Sequence, residues 1–158
     1  MKDYGDDIKI VYKHFLVHPQ AATIPAQASC AANKQGKFPE MEKLIWEKGF
    51  NAGRDLSQDN MDRLAGELGL NMAKFKADSQ GECAKIVQQD MNDLRQVGTR
   101  GTPAFYINGR FLSGAQPIQS FKTIIDEELK KANDAIAKGA KVQTYYEEHV
   151  LKKGSKAL

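Results

Sequence analysis

Cysteine is scarce in this 158-residue chain, and its two copies, Cys30 and Cys83, stand 53 positions apart. That spacing excludes a redox Cys-x-x-Cys pair, a local metal-binding pair and the dense disulfide framework of small secreted domains. Long apolar runs are missing as well. No window approaches the roughly 20 apolar residues of a membrane span, and the opening MKDYGDDIKIVYKHF lacks the basic-then-apolar layout of a secretory signal. Charge of one sign is in short supply: 23 basic against 20 acidic residues leave +3, too little and too evenly spread for a nucleic-acid or anionic-membrane footprint. There is no repeat and no low-complexity tract. With 41% hydrophobic and 27% charged residues, the expectation is one soluble globular domain with a single core.

Residues 8–15, IKIVYKHF, are β-branched and aromatic and precede Pro19, a pattern that predicts a strand. Helices are expected over residues 20–96. Ala22, Ala26 and Cys30 fall on one helix face by their spacing of four, with a stop near Gly36. Pro39 opens a second helix whose Met41, Leu44, Ile45 and Trp46 form an apolar stripe, closed by Gly49. Ser57 reads as an N-cap, flanked by Leu56 and Met61 as a hydrophobic staple, and its helix ends near Gly69. A short polar-capped segment surrounds Asn71. Ser79 to Glu82 has the layout of a capping box before a long helix, whose stripe of Cys83, Ile86, Val87, Met91 and Leu94 puts Cys83 on the buried side.

Residues 98–114 read GTRGTPAFYINGRFLSG: a glycine-rich approach, a proline, a buried-strand run, an Asn-Gly turn and a second strand. This predicts a β-hairpin. Gln116 and Pro117 then open a helix with Ile118, Phe121, Ile124, Ile125 and Leu129 inward, and acid-before-base pairs Asp126 to Lys130 and Glu127 to Lys131 outside. Residues 134–158 read as a helical extension and a frayed basic tail.

The run GTRGTPAFYINGRFLSGAQP resembles the signature of the DsbA-like thiol:disulfide oxidoreductases, and VYKHF, HPQAA and QGKFPEM are similar to that family's second strand and first insertion helices. The resemblance covers roughly residues 3–133 and implies an α/β thioredoxin-like fold of DsbA type, interrupted by a helical insertion and N-terminally incomplete. Residues 1–133 would form that domain: a strand at 8–15, the insertion at 20–96, and a proline loop, hairpin and terminal helix at 97–133. By the resemblance, Pro103 is cis and Thr102 before it presents its backbone to an extended cysteine-containing protein or peptide substrate. Gly98 and Gly101 would supply the loop's backbone freedom. The family acts in the periplasm or another extracytoplasmic space.

The departure from the family concerns its chemistry. There, a first strand, a Cys-x-x-Cys motif and the helix it opens precede the point matching Met1, and the reaction needs a low-pKa thiolate with a resolving neighbour. No catalytic residue is therefore assigned. Cys30 and Cys83 are expected as packed structural thiols, with a disulfide between them as the alternative in an oxidising compartment. Three accounts fit: a fragment begun at an internal methionine, which is the expectation, a reading frame opened too far downstream, and a natural module without its redox half. Function is expected as part of a protein thiol:disulfide oxidoreductase, with a redox-inert peptide-binding or assembly module as the alternative. The absent strand would lie between residues 8–15 and 104–107, and the two edges it leaves open imply homo-oligomers.

Other features have plainer readings. His14 and His18 are four apart, yet the sequence between them leads out of a strand into Pro19, so no metal site is expected. Trp46, Phe50, Phe75 and Phe121 are spaced as core residues of separate helices. The glycines of GTRGTP are followed by a proline and a strand where phosphate-binding motifs require a helix. No cofactor is expected.

Overall fold

The structure, a computed structural model, describes residues 3–152. The chain divides into two compact units: Lys13–Leu94, and the segment up to Tyr12 together with everything from Arg95 onward. We refer to them as the helical unit and the hairpin unit.

In the helical unit, α1 (Pro19–Asn33) opens with a proline at its first position, where the missing amide costs nothing. Its run of small residues permits close packing, and Ala28, Ala31 and Ala32 are almost completely buried. The second helix, α2 (Phe38–Leu44), continues into a wider π-type turn, Ile45–Phe50. Met41, Ile45 and Gly49, each four residues apart, form its buried row. Trp46 sits one position further round and is therefore 51% exposed. It meets Phe50 edge to face at 5.2 Å on the surface, so neither is the core residue that spacing suggested. Phe75 is fully buried as expected.

Ser57 caps α3 (Gln58–Glu67), its hydroxyl accepting from the Asn60 amide, and Asn71 caps α4 (Met72–Gln80) by accepting from the Lys74 amide. The capping box expected at Ser79 does not form. Instead α4 continues through Gln80, Gly81 makes the break, and α5 (Glu82–Gln96) begins directly after it. Ser79 thus lies inside a helix, its hydroxyl buried without a hydrogen-bond partner, and Glu82 forms an ion pair with Lys34. Met41, Met61, Leu64, Phe75 and Cys83 are the largest fully buried side chains, and the first four each contribute about 1.5–3 kcal/mol of apolar burial.

Cys30 and Cys83 are bonded to each other, with Cα atoms 5.8 Å apart. The packed free thiols expected from the sequence are thereby corrected. Both cysteines do lie on buried helix faces, and the packing of the unit brings those two faces together.

The hairpin unit contains the sheet found among the described residues: β1 (Ala104–Ile107) antiparallel to β2 (Arg110–Ser113). Asn108 and Gly109, with φ of 46° and 87°, make the two-residue turn that the Asn-Gly pair predicts. The final long helix, α6 (Ile118–Ala137), runs through the expected boundary at residue 133. A 3-10 turn (Val142–Thr144) and a π-type turn (Tyr146–Leu151) follow. The expected frayed tail lies outside the described residues beyond Lys152.

Two further expectations fail here. Residues 8–15 are extended without being strand: the sheet found among the described residues pairs β1 with β2 and does not include them. The inward stripe of α6 is only half covered: Ile118 is 70% exposed, and Glu128 is the buried residue of the helix. Its acids also pair differently. Asp126 accepts from the Tyr4 hydroxyl at 2.8 Å, while Glu127 and Glu128 receive Arg110.

The disulfide gives a direct test. Denatured but unreduced protein should gain no mass from iodoacetamide, and reduced protein should gain two adducts. In the chain-entropy picture, closing a loop of this length is worth about 4 kcal/mol, so a Cys30→Ala, Cys83→Ala double variant should lose on the order of 2–4 kcal/mol in urea unfolding. Labelling of the unreduced chain would disprove the bond.

Candidate functional site

The loop that enters the hairpin is organised by side chains from both its ends. Tyr106, on β1, places its hydroxyl 2.8 Å from Thr99 Oγ1 and donates to the Val97 carbonyl at 3.2 Å. Thr99 is 5% exposed, so this contact satisfies a polar group that water cannot reach. Gly98, at φ 80°, takes the chain through a left-handed position between the two partners of that hydroxyl. The brace leaves residues 100–103 projecting, and Thr102 and Pro103 are exposed.

The Thr102–Pro103 peptide bond is cis. The Pro103 carbonyl accepts from the Gly114 amide at 2.9 Å, which extends the hairpin's pairing by one step into the loop. Ladder parity then follows from the register. Ile107 and Phe105 face Arg110 and Leu112 as hydrogen-bonded pairs, so Ala104 and Tyr106 aim their amides and carbonyls at the opposite, open edge of β1. Thr102 continues the same alternation. Its backbone N–H and C=O have no partner among the described residues. An extended row of peptide groups, Thr102, Ala104 and Tyr106, is available to another strand.

The two faces of the hairpin differ. On one, Phe105 meets Phe121 of α6 edge to face at 4.7 Å, and Arg110 joins Glu127 and Glu128 of the same helix. On the other, Tyr106 and Phe111, cross-strand partners, meet at 5.2 Å with their rings tilted by 43°.

The remaining residues considered from the sequence lie elsewhere. His14 sits in the extended segment of the helical unit, where its backbone amide donates to Asp90 Oδ2 at 3.0 Å and Lys13 donates to Asp90 Oδ1 at 2.7 Å. Burial holds the His14 imidazole below its ordinary pKa, partly opposed by the Asp90 charge, and the hydrogen bond to Asp90 raises that of Lys13. His18 precedes α1 and is exposed. Among the described residues no group of three or more His, Cys, Asp or Glu side chains could hold a metal. Cys30 and Cys83 are spent on each other, buried, and carry no free thiol.

Sequence reasoning missed the Thr99–Tyr106 brace and the Asp90 clasp on Lys13 and His14. A buried threonine seven residues before a strand tyrosine leaves no periodic signal, and a carboxylate that ties down a segment 76 positions away leaves none at all.

The profile of the DSBA-like thioredoxin domain matches residues 1–126. Among curated proteins, a Na(+)/H(+) antiporter NhaA of Herminiimonas arsenicoxydans is 29% identical over 124 residues, covering 78% of this chain and 19% of the antiporter. The Na(+)/H(+) antiporter NhaA 1 of Mycobacterium sp. (strain KMS) is 33% identical over 113 residues, covering 68% of this chain and 18% of that protein. The chain therefore spans less than a fifth of the length of these relatives. No solved structure gives a significant match.

The brace yields a test. Tyr106→Phe leaves the buried Thr99 hydroxyl unpaired and should cost about 1–3 kcal/mol in urea unfolding followed at the hairpin. Adding Thr99→Val, which removes the orphaned group, should recover most of that loss. Additive losses would show that the two hydroxyls do not depend on each other.

Proposed function

The chain belongs to the DSBA-like thioredoxin domain family, and on that premise we propose that it takes part in protein thiol:disulfide exchange by holding an extended cysteine-containing segment along its proline loop. The observation that carries this reading is the unpartnered backbone of Thr102 in line with Ala104 and Tyr106 on the open edge of β1. A substrate strand laid there would gain backbone hydrogen bonds independent of its side chains, which suits an activity on many folding proteins. Thr102 and Pro103 are the substrate-binding residues of this reading. Its place of action is the periplasm or another extracytoplasmic space, where the Cys30–Cys83 bond would persist. Antiport, named for the curated relatives, forms no part of it, since less than a fifth of each antiporter aligns.

Exchange itself proceeds by attack of a thiolate on a disulfide sulfur, the other sulfur leaving as thiolate. Neither cysteine of this chain offers a free thiolate, and both are buried. That observation favours a second reading for the chain taken alone: a redox-inert peptide-binding or assembly module that uses the same loop. In an insulin-reduction assay with dithiothreitol, the chain should not exceed the rate of an ordinary protein thiol. Catalysis abolished by Cys30→Ser or Cys83→Ser would overturn both the structural role of the disulfide and this division of labour.

The same edge also supports self-association. Val150 is the one buried apolar side chain in the hairpin unit among the described residues, while Ile10, Val11, Phe105, Phe111 and Ile118 are exposed to solvent. An open strand edge beside exposed apolar side chains is completed by a strand from a second copy. Light scattering across a dilution series should show mass rising with concentration, and a monomer throughout the micromolar range would contradict the dimer.

A further inference from the structure

A cleft of about 640 Å³ opens on the helical unit, away from the hairpin's residues in sequence and built entirely from Lys13–Leu94. Its walls are apolar, supplied by Ala21 and Ile24 of α1, Phe50 at the end of the π-type turn, and Leu56 just before the Ser57 cap. His18 and Arg54 are among its polar lining residues. The position of Arg54 is unusual. Its backbone is left-handed, with φ 59°, a conformation that long side chains adopt at a cost. The guanidinium lies over the Phe50 ring at 5.1 Å. It has no carboxylate partner among the described residues, in a unit where lysines and carboxylates are extensively paired. The carboxylate next to it in sequence, Asp55, accepts from the Ser57 amide and hydroxyl.

The geometry points to a side-chain subsite for extended polypeptide: an apolar residue seated between Ile24, Leu56 and Phe50, with a neighbouring carboxylate bound by Arg54. Charge complementarity selects the acid, because a free guanidinium held on an aromatic face pairs with a carboxylate at little further ordering cost. The shape selects a chain over a small molecule. A cleft open to solvent cannot enclose most of a small ligand's surface, as small-molecule pockets do, yet it can take one side chain from a backbone that continues past. This assignment rests on the proposed polypeptide substrate and adds a sequence preference to it.

The test uses the full oxidised chain, labelled with 15N, titrated with two blocked peptides, Gly-Leu-Phe-Glu-Gly and its counterpart with glutamine in place of glutamate. The glutamate peptide should move the amide resonances of Ala21, Ile24 and Leu56 and bind about three- to fivefold more tightly, the range of a partly exposed ion pair. Arg54→Asn removes the charge while keeping a residue that tolerates the left-handed backbone, and should make the two peptides equal. Arg54→Lys should keep a reduced preference. Equal affinities for the parent chain, or a preference that survives Arg54→Asn, overturns the subsite. So does a silent cleft while Thr102, Ala104 and Tyr106 respond, a result that leaves the reading of the proline loop standing.

Discussion

The bond between Cys30 and Cys83 fastens the last turns of α1 to the first turn of α5, and the arrangement of the helical unit depends on that attachment. Helices rich in alanine, such as α1, bury little area per residue and hold their neighbours by proximity more than by bulk. The covalent link supplies what small side chains cannot. Around it, Met41, Met61, Leu64 and Phe75 close the core, and Lys34 spans from the end of α1 to Asp78 on α4 and Glu82 on α5. Of these two ion pairs the one to Glu82 is exposed on its acidic side and adds little energy, but both mark the same junction that the disulfide secures.

The hairpin unit follows a different constraint. Its strands are paired with each other on one side and open on the other, and its order comes from polar contacts such as Tyr106 to Thr99 and Arg110 to α6 in place of a deep core. The Tyr4 hydroxyl, pushed up to about 12 by loss of hydration and by its hydrogen bond to Asp126, belongs to the same set of contacts. An element held this way keeps its shape while leaving peptide groups available, which is what docking by strand addition requires.

How far the sequence could be read depended on whether the deciding interaction was local. The Ser57 and Asn71 caps and the Asn108–Gly109 turn are settled within four residues, and the pattern announced them. Ser79 misled because its local motif competes with continuation of α4, and the longer helix won. Residues 8–15 have the composition of a strand, but a strand is a relation between two segments, and composition describes only one. Trp46 was misplaced by a single step of 100° around a helix. The proline loop was legible through the family's motif, whereas the brace beneath it, the cysteine pairing and the cleft at Arg54 depend on tertiary proximity that spacing does not encode.

The location of the cross-link has a consequence for cooperativity. Both sulfurs lie within Lys13–Leu94, so the covalent tie restrains the unfolded ensemble of that unit directly, and it also shortens the covalent path between the two segments that make up the hairpin unit. Heating or denaturant then acts on two segments of unequal resistance within one polypeptide. The hairpin unit holds one buried apolar side chain among the described residues while the helical unit holds the core cluster, so opening is expected to begin in the hairpin unit.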